Sequence, residues 1–128
     1  MEPTVSARPQ FSAEEAEALV FKIWNIRGSA SELTSERDQN FRVLGGSGAG
    51  YIFKIANRLE KREVLELQVL ATRHLARNVP DYSWPEVVKT SSGEDIAAAN
   101  SRIGTKHFVR LLTFLPRENL RFFPEGRG

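Results

Sequence analysis

Lys54 is the residue whose type and setting first suggest chemistry. It lies between Phe53 and Ile55 in an otherwise apolar stretch, and the alternation of side chains along a strand places it on the same face as Ile52 and Ala56. A lysine on a half-exposed sheet is often an ordinary surface residue. Lys54 therefore becomes a candidate functional residue only if another part of the chain supplies a partner for it.

Gln68 is the predicted partner of Lys54. The spacing of apolar residues predicts a helix over about residues 59–76, and at about 100° per residue Gln68 falls within its inward-facing apolar stripe. A polar side chain on a packed helix face needs a hydrogen-bonding partner, which a lysine on the facing sheet would supply. The alternative is that Gln68 lies at the edge of the stripe and meets water. The predicted stripe also contains Val64, Leu67, Ala71 and Leu75, and the predicted solvent side contains Glu63, Glu66, Arg73 and Arg77.

The segment Gly45-Gly46-Ser47-Gly48-Ala49-Gly50 looks like a glycine-rich phosphate cradle. Phosphate loops of the Walker or Rossmann type join a strand to the N-terminus of a helix, whose amide groups hold the phosphates. A second strand follows the glycines here, so we interpret the segment as a flexible hairpin turn, with phosphate contact as the alternative. The polar run Ser35-Glu36-Arg37-Asp38-Gln39-Asn40, between the first two predicted strands, is the better candidate.

Composition excludes several classes of function. The chain has 128 residues, with 18 Lys+Arg against 16 Asp+Glu and a net charge of +2, so it lacks the clustered basic residues of nucleic-acid-binding proteins. It has no cysteine, and neither His74 nor His107 has a second ligand at metal spacing. No apolar run approaches the roughly 18 residues of a membrane span. We expect one cytoplasmic domain with no metal site, no membrane contact and no nucleic-acid partner.

The elements that position the candidate residues follow from capping and periodicity. Ser12 and Glu15 form a capping box that begins a first helix, and Gly28 is predicted to end it. Short connections favour an antiparallel α+β domain of five or six strands, with one packed helix and an extra N-terminal helix. The predicted strands are 30–34, 40–44, 51–56, 86–90, 95–99 and 107–115. We predict a flexible lead-in at 1–10, a domain at 11–116 and a tail at 117–128.

Five segments of the chain carry a resemblance to a known family: 35–41, 51–57, 63–68, 85–90 and 109–116. In this order they resemble the aminoglycoside phosphotransferase and choline kinase-like family, which shares its two-lobed fold with protein kinases. The resemblance covers roughly residues 11–116 and only the N-terminal lobe of that fold. The polar run is particularly similar to kinase-type domains fused to class III aminotransferases and to their hydroxylysine kinase relatives.

The resemblance implies an ATP-binding lobe with assigned residues. Lys54 would hold the α- and β-phosphates of ATP, and Gln68 would take the place of the helix glutamate that orients this lysine. Gln68 is neutral and supplies no charge for the usual ion pair, and Glu66 lies about 160° away around the helix. The loop over the phosphates would consist of Ser35, Glu36, Arg37, Asp38 and Gln39, and the adenine-binding hinge of Thr113, Phe114 and Leu115.

The resemblance also implies that the catalytic residues and the Mg2+ ligands belong to a second lobe that this chain lacks. The parent enzyme would phosphorylate a hydroxyl group of a small amino alcohol or amino acid, and the 128-residue chain alone would be inactive. The alternative is a non-catalytic binding or regulatory domain that keeps the fold of the lobe. Self-association is expected through an exposed inner face that includes Phe114, Leu115, Phe122 and Phe123.

Overall fold

The computed structural model describes residues 7–79 and 81–114. Five strands form one antiparallel sheet in the order β1-β2-β3-β5-β4, and two helices accompany it. This architecture confirms the predicted α+β class. The elements are α1 (Ala13–Trp24), β1 (Gly28–Leu33), β2 (Gln39–Gly45), β3 (Gly50–Ile55), α2 (Arg62–Asn78), β4 (Ala97–Asn100) and β5 (Lys106–Thr113).

Helix α1 begins at the predicted capping box. The Glu15 backbone N–H donates to the Ser12 hydroxyl at 3.0 Å, and the Ser12 N–H donates to the Glu15 carboxylate at 2.8 Å. The helix ends at Asn25, which adopts a left-handed conformation with φ 60°, and not at Gly28 as predicted. Gly28 instead opens β1. This position requires a glycine, because a Cβ there would stand 2.6 Å from the carbonyl oxygen of Leu44 on the neighbouring strand.

The main core lies between α1 and one face of the sheet. Trp24 packs its ring edge-on against Phe53, with ring centres 5.7 Å apart, and its indole N–H donates to the Val88 carbonyl at 2.9 Å. Strand alternation sends every second residue of the central strands to this face. The strand residues buried there are Phe41, Val43, Phe53, Ile55, Ala99, Val109 and Leu111.

Helix α2 packs with a face that the sequence analysis did not predict. Leu65 and Val69 are 2% and 3% exposed, whereas Leu67 is 66% exposed. Leu65 and Val69 pack against Ala56 and Ile96, in a cluster separate from the α1 core. The predicted inward stripe is therefore wrong by about one residue, or about 100° around the helix axis.

An ion pair accompanies this orientation of α2. The Arg73 guanidinium makes two hydrogen bonds to the Asp95 carboxylate, one of them 3.0 Å long, and Lys89 donates to the same carboxylate at 3.1 Å. Arg73 was predicted on the solvent side and is partly buried. Because α2 carries apolar residues at two phases, periodicity alone could not select the packed face, and tertiary contacts decide it.

The predicted hairpin before β5 is reduced to one strand. Segment 86–90 makes only an isolated bridge, between Val87 and Leu112, although the Val88 N–H also donates to the Leu111 carbonyl at 2.8 Å. Strand β4 pairs with the first half of β5 and occupies the same edge. The described sheet therefore has five strands and no sixth.

Residues 7–10, which were predicted to belong to a flexible lead-in, contact the domain. Pro9 is fully buried, and the Ala7 carbonyl accepts a hydrogen bond from the Arg58 N–H at 3.0 Å. Arg8 forms an ion pair with Glu32 at 3.4 Å. The predicted tail at 117–128 lies outside the described residues.

The phase of α2 predicts different consequences for two leucine substitutions. Leu65→Ala should lower the free energy of unfolding by about 2–3 kcal/mol, because it leaves a cavity in a packed cluster. Leu67→Ala should change it by less than about 0.5 kcal/mol, because that side chain is exposed. Urea unfolding of both variants measures this difference, and a larger loss for Leu67→Ala would contradict the observed orientation.

The Asp95 ion pairs predict acid sensitivity. Hydrogen bonds from Arg73 hold the pKa of the Asp95 carboxyl below its ordinary value, against the opposing effect of burial, and Lys89 adds to the lowering. Their stabilisation is complete above the ordinary pKa of about 4 and is lost as the pH falls through the lowered value. Asp95→Asn should cost about 0.5–1 kcal/mol at pH 7, and the cost should shrink towards pH 2.

Unfolding midpoints of the wild type and Asp95→Asn across this pH range check the prediction. Asp81→Asn, at an exposed aspartate, is the matched control. A cost for Asp95→Asn that is the same at every pH would show that the ion pairs do not contribute.

Candidate functional site

Lys54 lies in a row of polar side chains on the sheet face opposite α1. It pairs in register with Asn40 of β2 on one side and with Arg110 of β5 on the other. The neighbouring row, which contains Phe41, Phe53 and Leu111, faces the core. Alternation therefore directs Asn40, Lys54 and Arg110 to the same face, where side chains directly opposite one another stand about 5 Å apart at Cβ.

The two cations of the row are half-buried and lack bonded partners. The side chains of Lys54 and Arg110 make no hydrogen bond or ion pair with another described residue. Burial lowers the pKa of Lys54, the Arg110 charge lowers it further, and Asp38 acts against both. Burial also lowers the pKa of Arg110, opposed by Asp38 and Glu60. The arrangement holds positive charge that is partly withdrawn from water, which strengthens its attraction for an anion.

Asn40 adds an unsatisfied acceptor to this row. Its side-chain oxygen is buried and has no hydrogen-bond donor within the described part of the chain. Buried polar atoms are nearly always paired, so such an atom marks a place where a group is still to be bound or rearranged. Lys54 is the residue that pairs with Asn40 in the register between β2 and β3.

The loop between β1 and β2 is anchored to the end of β3. The buried side chain of Asn57 donates to the Arg37 carbonyl at 3.1 Å, and the Asn57 N–H donates to the Asp38 carboxylate at 2.9 Å. The Ser35 hydroxyl donates to the Asp38 carbonyl across the loop. These contacts hold Asp38 where its charge acts on both Lys54 and Arg110.

The other predicted members of the phosphate loop lie in different settings. Glu36 and Arg37 are exposed, and Arg37 approaches Glu60 at 3.9 Å. Gln39 is buried, and its amide group exchanges two hydrogen bonds of 2.8 Å with the backbone of Phe11. The amide of Gln39 also donates to Glu32 at 2.9 Å. Its functional groups are thus used to hold the segment before α1, and Gln39 itself opens β2. Its membership of a phosphate-binding loop stays a prediction.

Gln68 does not meet Lys54. Its side chain is exposed and makes no hydrogen bond with the described residues. The Thr72 hydroxyl donates to the backbone carbonyl of Gln68 at 2.9 Å. The predicted contact fails because α2 is rotated relative to the predicted phase. Glu66 is also exposed and pairs with Arg62 at 3.0 Å. The carboxylate that acts on Lys54 belongs to Asp38, in the loop and not on the helix.

The predicted hinge is partly described. The Thr113 N–H donates to the Glu86 carbonyl at 2.8 Å, and the Phe114 N–H donates to the Gly50 carbonyl at 2.8 Å. Both donors are therefore already used within the domain. The Phe114 ring lies 4.7 Å from the guanidinium carbon of Arg42. Leu115 lies outside the described residues.

Several other features have structural roles. The glycine segment forms the β2–β3 turn, with Gly48 at φ 93°, and the turn lies at the opposite end of β3 from Lys54. His107 is buried and contacts the Ala56 carbonyl through Nδ1 at 2.9 Å, while His74 is exposed. The described residues contain no group of three potential metal ligands and no helix suited to crossing a membrane.

Arg110 is a site residue for which the sequence analysis proposed no role, and Asn40 was named there only as the last residue of the polar run. Arg110 stands within the apolar stretch Val109-Arg110-Leu111-Leu112, much as Lys54 stands within its own strand. That similarity was a usable signal. The register between β3 and β5, which brings the two cations side by side, could not be obtained from the sequence alone.

Comparison with solved structures identifies the fold. A microcompartment-associated aminopropanol kinase is 13% identical, with a TM-score of 0.62, and the match covers 79% of this chain and 32% of that one. Amicoumacin kinase hAmiN, solved with AMP-PNP, Ca2+ and Ami, is 17% identical, with a TM-score of 0.63 and coverage of 83% and 32%. No protein-family profile and no curated protein matches the sequence. The chain has the fold of a kinase-like N-terminal lobe and spans about a third of the length of these two kinases.

Proposed function

We propose that this chain is the ATP-binding lobe of a small-molecule phosphotransferase and that Lys54 binds the phosphates of the nucleotide. The observation that carries the proposal is the half-buried ammonium of Lys54, which has no bonded partner among the described residues. It lies on the sheet face opposite α1, in a fold shared with two small-molecule kinases. One of those kinases was solved with AMP-PNP, a nucleoside triphosphate analogue.

The described residues contribute charge and position to this function. Phosphoryl transfer depends mainly on aligning the reacting groups and neutralising the phosphate charge. Lys54 supplies a cation whose partial burial makes its interaction with phosphate stronger than in water. Asp38, held by Asn57, fixes the loop beside that cation. The hinge residues Thr113 and Phe114 shape the end of the site, while the donors that bind adenine would lie beyond them.

Mg2+ and the hydroxyl substrate belong to the proposal, but the described residues do not hold them. No cluster suited to a metal ion occurs within 7–79 and 81–114. We place the metal ligands, the base and the substrate-binding residues outside this lobe. When bound, Mg2+ would neutralise phosphate charge. A small amino alcohol or amino acid hydroxyl is the proposed acceptor, in line with the aminopropanol named for one neighbour.

A second candidate is a non-catalytic binding or regulatory domain. It is favoured by the absence of a carboxylate on the described part of α2 that acts on Lys54. The exposed leucines of α2, Leu67 and Leu70, also offer apolar surface for a partner or for a second copy of the chain. Binding of AMP-PNP through Lys54 supports the first candidate over the second, and a cytoplasmic location remains a prediction for both.

Substitution of Lys54 tests nucleotide binding. Lys54→Met should weaken binding of AMP-PNP about ten-fold or more, because one charge-assisted hydrogen bond to a phosphate is lost. Lys106→Met removes the same charge from an exposed position on β5 and is the matched control. Isothermal titration of both variants gives the affinities. Equal affinities for Lys54→Met and the wild type would contradict the proposal.

The chain alone should not catalyse phosphoryl transfer. Purified protein incubated with ATP, Mg2+ and small amino alcohols should consume no ATP beyond the background rate, because the described residues supply neither a metal site nor a base beside Lys54. ATP turnover by the wild-type chain that disappears in Lys54→Ala would refute the proposal that the metal ligands and the base lie outside this lobe. It would mean that this chain, alone or as an oligomer, holds the missing acidic groups.

A further inference from the structure

Arg110 and Lys54 form a like-charged pair that the fold does not need. They stand directly opposite each other on β5 and β3, and both are half-buried. Like charges in such positions destabilise a sheet, and partial withdrawal from water adds to the cost. Apolar residues at positions 54 and 110 would also fit these strands, because the cross-strand pair two residues away on the same face is Ile52 and Leu112. The pair is retained at a cost in stability, which points to a role in binding.

The nearby carboxylates do not remove this charge. The Asp38 carboxylate already accepts from the Asn57 N–H, and Glu60 lies 3.9 Å from Arg37. Both act on Arg110 at a distance without forming an ion pair with it. An ammonium and a guanidinium together carry eight N–H donors, and none of them is used within the described residues. The face therefore presents two adjacent sets of donors without acceptors.

We propose that Arg110 is a second phosphate-binding residue, which with Lys54 forms one subsite for the adjacent phosphate groups of an oligophosphate. This inference rests on the proposed function, because it places Arg110 in the nucleotide site. A planar guanidinium binds phosphate oxygens in pairs, whereas an ammonium acts as a point charge. Two such groups side by side favour a ligand with neighbouring anionic groups over a single phosphate.

The subsite accounts for two features of the structure. The negative charge of the oligophosphate would offset the repulsion between the two cations. It would also order Lys54, whose cross-strand neighbour Asn40 has a buried side-chain oxygen that lacks a donor. In this arrangement the Arg110 guanidinium supplies a second positive charge for the phosphates. No carboxylate of α2 acts on Lys54 to orient it. The alternative is that Arg110 only balances Asp38 and Glu60.

Titration of the full chain with three probes tests the subsite. The probes are AMP-PNP, inorganic tripolyphosphate and orthophosphate, and the variants are Arg110→Met, Arg110→Lys, Lys54→Met and the control Lys106→Met. Arg110→Met should weaken binding of AMP-PNP and tripolyphosphate at least ten-fold, with a smaller effect on orthophosphate. Arg110→Lys should recover part of the loss. The control should stay within about two-fold of the wild type.

Stability measurements separate binding from folding. If Arg110 belongs to a binding subsite, the unfolding midpoint of Arg110→Met without ligand should equal or exceed that of the wild type. A lower midpoint with unchanged affinity for AMP-PNP would overturn the inference and assign Arg110 to charge balance. Arg110→Lys keeps the positive charge and provides a folded variant should Arg110→Met unfold.

The remaining outcomes distinguish this inference from the proposed function. Loss of AMP-PNP binding in Lys54→Met but not in Arg110→Met refutes the subsite and leaves the proposed function standing. Loss of tripolyphosphate binding in both variants, with no AMP-PNP binding by the wild type, supports the subsite and refutes the nucleotide function. A wild type that binds none of the three probes refutes both.

Discussion

The alternation of side chains across β2, β3 and β5 is the constraint on which the rest of the structure depends. Phe41, Phe53 and Leu111 stand in register on one face and are fully buried near α1. Burial of each such side chain contributes about 1.5–3 kcal/mol. A slip of one residue between strands would reverse the faces and drive Lys54 and Arg110 into the apolar core. The apolar residues on one face thus fix the cations on the other.

Buried amide side chains extend this constraint from the sheet to the loop beside the cations. Asn57 holds the backbone of the β1–β2 loop, and Gln39 binds the backbone of Phe11 just before α1. Each amide satisfies backbone groups that would otherwise be buried without partners. The loop and the segment before α1 are consequently held by amide side chains that are themselves buried. Asp38 is the one loop carboxylate whose charge acts on both cations.

Sequence patterns predicted the elements whose signals are local. The capping box located the start of α1, and alternation located the central strands, because both depend on residues close together in the chain. The phase of α2 was not predictable in this way. Its leucines occur at two phases, and the choice between them depends on Ile96 and Asp95, which follow the helix by many residues. The pairing of Lys54 with Arg110 likewise depends on a register between strands that are distant in sequence.

The two apolar stripes of α2 have different relations to the domain. Leu65 and Val69 meet the sheet side, and the exposed stripe that contains Leu67 remains uncovered in the described chain. Turning that stripe towards the sheet requires a roll of about 100°, which would break the contacts of Arg73 with Asp95 and bury Gln68. Removal of apolar side chains from water is favourable. A surface that covers the exposed stripe therefore stabilises the present orientation of α2. The present orientation also keeps the carboxylates of α2 away from Lys54, so that Asp38 is the carboxylate that acts on this lysine.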